Sequence, residues 1–210
     1  RFRPELHSKV LDVRLFRSGN RLFYGAEPLI FREVEDRDLI AKARRGNVEA
    51  YNLLVSRWER RVYNYLLKLV GNREDALDLS QDVFLKAYQN LSKLEDPERF
   101  APWLFRIAHN EAYSLMRKVR PDGEVPDETA RPGPAFRMFP MELNLAVERA
   151  LSRLTRDQRE VVVLKIYQGF KFEEMAEVLN CPVSTVKSRL YTALDLLKET
   201  LAPVQSRGVE

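Results

Sequence analysis

The chain has 210 residues, 45% hydrophobic and 31% charged, with a net charge of +4. That length suffices for one or two domains with a buried core, and no apolar run approaches a membrane span. The single cysteine, Cys181, excludes a disulfide framework and a multi-cysteine metal site, which makes a reducing cytoplasm the default compartment.

Residues 1–35 are basic, with scattered aromatics and no clear period. No secretory signal is visible there, and a first residue of Arg rather than Met suggests a processed, trimmed or partial sequence. Residues 1–24 hold six basic and two acidic groups, so they carry the whole net charge and residues 25–210 sum to zero. Overall basicity therefore gives no argument for a nucleic-acid partner; only the placement of charges can.

Residues 36–118 read as helical almost throughout. Asp36 or Asp38 is placed to cap a short helix ending near Gly46. Asn47 caps a long one through Leu53, Leu54, Trp58, Val62, Leu66 and Leu69, which stops at Gly71. Asn72 caps a third, with Glu74 and Asp75 in its electropositive first turn. In that helix Leu77, Val83, Phe84, Ala87 and Tyr88 form an apolar stripe, leaving Asp78, Gln81, Asp82 and Lys86 outside it. On its own this is equally a core helix with a solvated face.

A fourth helix, residues 99–118, interleaves Phe100, Trp103, Phe105 and Tyr113 with Arg99, Arg106, His109, Asn110, Arg117 and Lys118. Trp103, Ile107 and Phe105 are expected to face the core. Basic groups among aromatics also suit unstacked bases, each of which offers a π-face and a phosphate. Asn110 carries the paired donor and acceptor that fit a base edge. His109 reads as a packed or surface histidine, with no second ligand-type residue at helical spacing.

Residues 119–140 hold five prolines, two glycines and the acidic Asp122, Glu124, Asp127 and Glu128, the composition of an extended linker. Residues 141–202 are helical again, and 203–210 form a tail. Thr155 and Gln158 make a capping-box pair before the run Val161 to Ile166. Phe172, Met175, Ala176 and Leu179 share one helix face. Asn180-Cys181-Pro182 breaks that helix, and Ser184 or Thr185 opens the next, whose inner face carries Val186, Leu190, Ala193, Leu194 and Leu197. Outward lie Ser184, Thr185, Lys187, Ser188 and Tyr191, the donors that a recognition helix brings to phosphates and base edges. No strand pattern or internal repeat emerges, and the expected fold is all-α, two small helical domains joined by a flexible linker.

Three stretches in order, EDALDLSQDVFLKAYQNL, RFAPWLFRIAHN and LTRDQREVVVLKIYQGFKFEEMAEVLNCPVSTVKSRLYTALDLL, resemble the sigma factors of bacterial RNA polymerase, of the extracytoplasmic-function type. The resemblance spans roughly residues 36–202, and residues 1–35 lie outside it. It implies sigma domain two over 36–118 and sigma domain four over 141–202. It implies that Asp78, Gln81, Asp82, Phe84 and Leu85 dock on the clamp of the largest core polymerase subunit, and that domain four meets the second-largest subunit. Arg99, Phe100, Trp103, Arg106 and Asn110 then serve the minus-ten element, where a flipped base costs a few kcal/mol of unstacking. The loop Glu95 to Phe100 would select that base, and here it is short and acidic. Ser184, Thr185, Lys187, Ser188, Arg189 and Tyr191 would read the minus-thirty-five element, with Thr192 where many members carry a basic residue. The resemblance further implies promoter DNA and an anti-sigma factor as partners, and neither cofactor nor small-molecule substrate.

A dimeric helix-turn-helix repressor would share the C-terminal half, but it leaves residues 74–91 and 99–118 unexplained. An enzyme finds no support in a chain without a metal-ligand spacing, a glycine-rich phosphate loop or a triad.

Overall fold

The computed structural model describes residues 34–119 and 141–205, and among these there are helices but no strand. The expected linker and most of the basic N-terminal extension lie outside the described residues. Among the described residues no helix is long and apolar enough to cross a membrane.

Helix α1 (Asp36–Arg44) starts one residue earlier than a cap at Asp36 would allow. Glu35 holds the cap position without a side-chain bond, and Asp36 and Asp38 sit in the first turn, where the helix dipole favours them. Asp36 has other work: its carboxylate accepts from Trp58 Nε1 at 2.9 Å and pairs with Arg57, tying α1 to the next helix. Helix α2 (Val48–Val70) is capped as expected, Asn47 Oδ1 accepting from the Ala50 amide at 2.9 Å. It ends at Gly71, whose φ of +75° is the left-handed closure that glycine adopts without a Cβ clash. Asn72 then caps α3 (Arg73–Asn90) through the Glu74 amide at 2.8 Å.

The buried side of α3 is Ala76, Leu79, Ser80, Val83, Phe84 and Ala87, so the apolar stripe runs a little differently from the expected one. Leu77 is exposed, as are Leu53 on α2 and Ile166 further on. A helix buries about a third of its circumference, so an apolar residue 100° off the centre of that stripe stays wet. Phe84 lies at the stripe's edge and is 1% exposed; its carbonyl accepts from the Tyr51 hydroxyl at 2.5 Å.

Two 3-10 turns (Leu91–Lys93 and Pro97–Arg99) lead into α4 (Phe100–Val119). Arg44 Nε donates to the Leu91 carbonyl at 3.1 Å, and Asp96 caps the second turn through the Glu98 amide at 3.0 Å. Part of the loop's acidity is thus structural. Phe105 is fully buried as expected, with Leu104, Ala108 and Ala112, whereas Trp103 and Ile107 are only half-buried at the margin.

The C-terminal half comprises α5 (Met141–Ser152), α6 (Arg156–Val162), a π-helical turn (Val163–Tyr167), α7 (Phe172–Leu179) and α8 (Val183–Gln205). The Thr155–Gln158 capping box forms in both directions. The π turn ends at Gly169, φ +74°, and that reversal aims Gln168 and Phe170 at the first half. Asn180, φ +49°, breaks the chain between α7 and α8, a conformation asparagine tolerates better than most residues. Helix α8 begins at Val183, with the Pro182 carbonyl accepting the Thr185 and Val186 amides, so Ser184 and Thr185 fall inside the first turn rather than at its cap. Buried residues from Leu39 to Ala193 form one continuous core across both halves.

Candidate nucleic-acid interface

Three helices each present a row of polar side chains opposite a buried row. On α8, Val186, Leu190 and Ala193 anchor the helix. Ser184, Lys187, Ser188 and Tyr191, at spacings of three, four and seven, share the opposite, exposed face. The Lys187 ammonium sits 5.3 Å from the centroid of the Phe172 ring on α7. Thr185 and Arg189 lie on the flank, where the Arg189 guanidinium pairs with Asp157 at 2.6 Å. That pair occupies part of the Arg189 guanidinium, which has five N–H donors in all. Thr192 is exposed beside the row. Burial raises the Cys181 thiol pKa, so it is a poorly ionised thiol within the turn.

On α4 the exposed Arg106 and Asn110 and the half-buried Trp103 lie on one face, with Arg99 just ahead of the helix in line with them. Phe100 does not belong to this face. It is 2% exposed and packs edge-on against Trp58 at 5.9 Å and beside Trp103 at 5.9 Å, so it supports the surface from beneath. The reason is periodicity: Phe100 falls on the Leu104–Ala108 side of the helix. An open hollow of about 370 Å³ adjoins the 95–100 loop, with Trp58 and Phe100 at its base and Glu35, Asp36 and Glu98 on its rim. Asn110 does not line it.

On α3, Asp78, Gln81, Asp82 and Leu85 also repeat at spacings of three, four and seven, facing away from the buried side. Asp78 and Asp82 are exposed, and Gln81 and Leu85 are half-buried. Phe84, expected on this surface, is instead in the core, because it lies one helical turn after the buried Ser80.

A model of sigma-70 region 2 matches residues 54–121, and one of sigma-70 region 4 matches residues 144–197. The sigma-E factor of Haemophilus influenzae is 30% identical over 186 residues, which cover 82% of this chain and 98% of that protein. This chain belongs to the extracytoplasmic-function (ECF) sigma factors. The sigma-H factor of Pseudomonas aeruginosa is 29% identical over 184 residues, covering 81% of this chain and 95% of its own. Among solved structures, the sigma factor is similar to CnrH in complex with the cytosolic domain of CnrY. The identity is 30% and the TM-score 0.62, with 80% of this chain and 97% of that one covered. The protein is thus an initiation factor of RNA polymerase, with region 2 carrying α3 and α4 and region 4 carrying the helix-turn-helix of α7 and α8.

Sequence reasoning missed one constellation. Glu160 on α6 is 1% exposed, and its carboxylate meets three side chains of the N-terminal half. Tyr65 on α2 donates to Oε1, His109 Nδ1 lies 2.7 Å from Oε1, and Tyr113 Oη lies 2.7 Å from Oε2. Burial, then the charge of Glu160, pushes the Tyr65 and Tyr113 hydroxyls up, so both stay protonated as donors. The signal in the sequence was slight: one carboxylate at the start of the run Val161 to Leu164.

Proposed function

We propose that a single copy of this sigma factor binds core RNA polymerase, directs it to promoters with two unlike elements, and melts the minus-ten element. Domain two (36–118) docks on the clamp through Asp78, Gln81, Asp82 and Leu85, and reads the minus-ten strand through Arg99, Trp103, Arg106 and Asn110. Domain four (141–202) reads the minus-thirty-five duplex through Ser184, Thr185, Lys187, Ser188, Arg189 and Tyr191, and the linker (119–140) joins them. The observation that carries this is the exposed row on α8, held rigidly by the buried Val186, Leu190 and Ala193. Polymerase supplies the chemistry, so the chain is not itself an enzyme, needs no cofactor and works in the cytoplasm. An anti-sigma factor holds it inactive; the likeness to CnrH, solved with the cytosolic domain of CnrY, supports this.

The test is transcription in vitro by purified core polymerase on a pool of random promoters, with and without the chain. Transcripts sharing two spaced elements establish the reading. Their absence, together with binding to a palindromic duplex, establishes a repressor instead. Two substitutions refine the assignment. Lys187→Ala is expected to weaken minus-thirty-five binding by about 1–3 kcal/mol, the worth of a specific base contact. Fluorescence anisotropy on duplexes varied one base at a time checks it, and equal affinities for both proteins on every duplex refute it. Asn110→Ala is expected to change base preference at the minus-ten element while core binding persists. A profile of selected promoters identical to that of the parent would remove Asn110 from the reading.

A further inference from the structure

The row on α8 assigned above to the minus-thirty-five element contains two cations, and they are held by different means. Arg189 pairs with the Asp157 carboxylate. Among the described residues no carboxylate pairs with Lys187; its ammonium lies over the Phe172 ring, 5.3 Å from the centroid. A second ammonium shares that ring. Lys165 in the π turn has its Nζ 4.8 Å from the same centroid, and it donates to the Phe170 carbonyl at 3.1 Å.

Phe172 is itself well fixed. It is the first residue of α7, and the amide of Lys171 just before it donates to Glu174 Oε2 at 2.6 Å, which closes that first turn. The half-buried ring packs against the core in line with the buried Met175 and Leu179 of the same helix face. What the core leaves uncovered is available to the two ammoniums.

An aromatic face has a negative potential and attracts a cation within about 6 Å of its centroid. It does so without adding a counter-charge. A carboxylate would also restrain Lys187, but it would cancel much of the charge that a phosphate or a base acceptor draws on. The ring leaves that charge whole. A lysine on its flexible four-carbon stem gives up side-chain freedom when it binds, and restricting it beforehand removes part of that cost. Lys165 adds direction. Its ammonium is tied to a carbonyl, so like-charge repulsion keeps Lys187 from folding down onto the π turn.

We propose that Phe172 is a positioning residue for minus-thirty-five recognition: its ring, shared with the tethered Lys165, holds the Lys187 ammonium where Lys187 meets a base edge. The proposal rests on the reading of Lys187 as a base contact. Phe172 acts only through Lys187.

The experiment is a double-mutant cycle on the full chain, read by fluorescence anisotropy with the minus-thirty-five duplex recovered from the promoter pool. Phe172→Leu keeps an apolar side chain against the core and removes the aromatic face. It is expected to weaken binding about threefold in the parent, the scale of an exposed cation–aromatic contact, and to change nothing in the Lys187→Ala background. Phe172→Tyr keeps the ring and is expected to retain the parental affinity. A loss of equal size in both backgrounds overturns the proposal, because a purely structural role does not depend on Lys187. A Phe172→Leu chain that binds as tightly as the parent overturns it too. If Phe172→Leu loses its helical circular dichroism, Phe172→Met takes its place in the cycle. Proton NMR supplies a readout without DNA. The Lys187 Hε resonances, assigned by their disappearance in Lys187→Ala, are expected upfield of those of the exposed Lys198 in the parent and in Phe172→Tyr. Resonances at the Lys198 position would overturn the ring contact. If the parent and Lys187→Ala bind every duplex equally while the upfield shift is present, the base-reading assignment of Lys187 has failed and the positioning role falls with it, although the ring contact stands.

Discussion

Phe105→Ala is expected to lower the stability of the chain by about 3–5 kcal/mol, the cost of truncating a buried aromatic without collapse of the site. Phe105 is fully buried, and rings surround it: Tyr65 at 5.1 Å, Trp58 at 6.4 Å and Phe170 at 5.1 Å. The Arg61 guanidinium lies 5.9 Å from its centroid. Three rigid rings from α2 and the turn after α6 cannot all move inward, so a cavity persists and the surrounding dispersion contacts are lost. Urea unfolding followed by circular dichroism measures the change, and a loss below about 1 kcal/mol would mean that the site relaxes. The same substitution removes the partner of Phe170. Phe170→Ala isolates that part: it is expected to cost less in domain two, because the Tyr65 and Trp58 contacts remain. Comparing the two separates the stability of a domain from adhesion between domains.

Much of this core was legible because punctuation and period agreed. Asn47 with Gly71, Asn72, and the Thr155–Gln158 pair each fix a helix end by a local hydrogen bond, which needs no knowledge of tertiary neighbours. Asp36 shows where that logic stops. A carboxylate near a helix start favours a cap, but Trp58 and Arg57, more than twenty residues away, claim it. Phe84 and Phe100 show the second limit. Both sit at the edge of an apolar arc, where one helical step of 100° decides between a surface contact and the core. A sequence gives the period but not the exact phase set by neighbouring helices.

The site was legible to a different extent. The outward rows on α3, α4 and α8 follow from periodicity, and the family models match the segments that carry them. What the sequence hid is the relation between the halves. Glu160 is separated from Tyr65, His109 and Tyr113 by 47 to 95 positions and meets them only through packing. No local pattern distinguishes a carboxylate buried between the halves from a solvated one.

Asp82→Arg is expected to abolish binding to core polymerase, a larger effect than loss of any single contact to DNA. Asp78, Gln81, Asp82 and Leu85 form one strip on α3, opposite Ala76, Val83 and Ala87, and Asp82 is exposed at its centre. Reversing its charge leaves the buried side untouched, so folding should be unaffected. Against a partner whose surface complements two carboxylates, the substitution removes one attraction and adds one repulsion, and it places a long guanidinium beside Leu85. Like-charge juxtaposition at an interface costs several kcal/mol, enough to move a nanomolar complex into the micromolar range. Native gel shift or anisotropy with core polymerase reads the loss directly. The paired control is affinity for the minus-thirty-five duplex, which should not change, because Lys187 and Ser188 lie on another domain. If core binding survives Asp82→Arg while the helical circular dichroism is intact, the α3 strip is not the docking face. The polar groups outside the buried stripe would then be only the solvated side of a core helix, the alternative that the sequence left open.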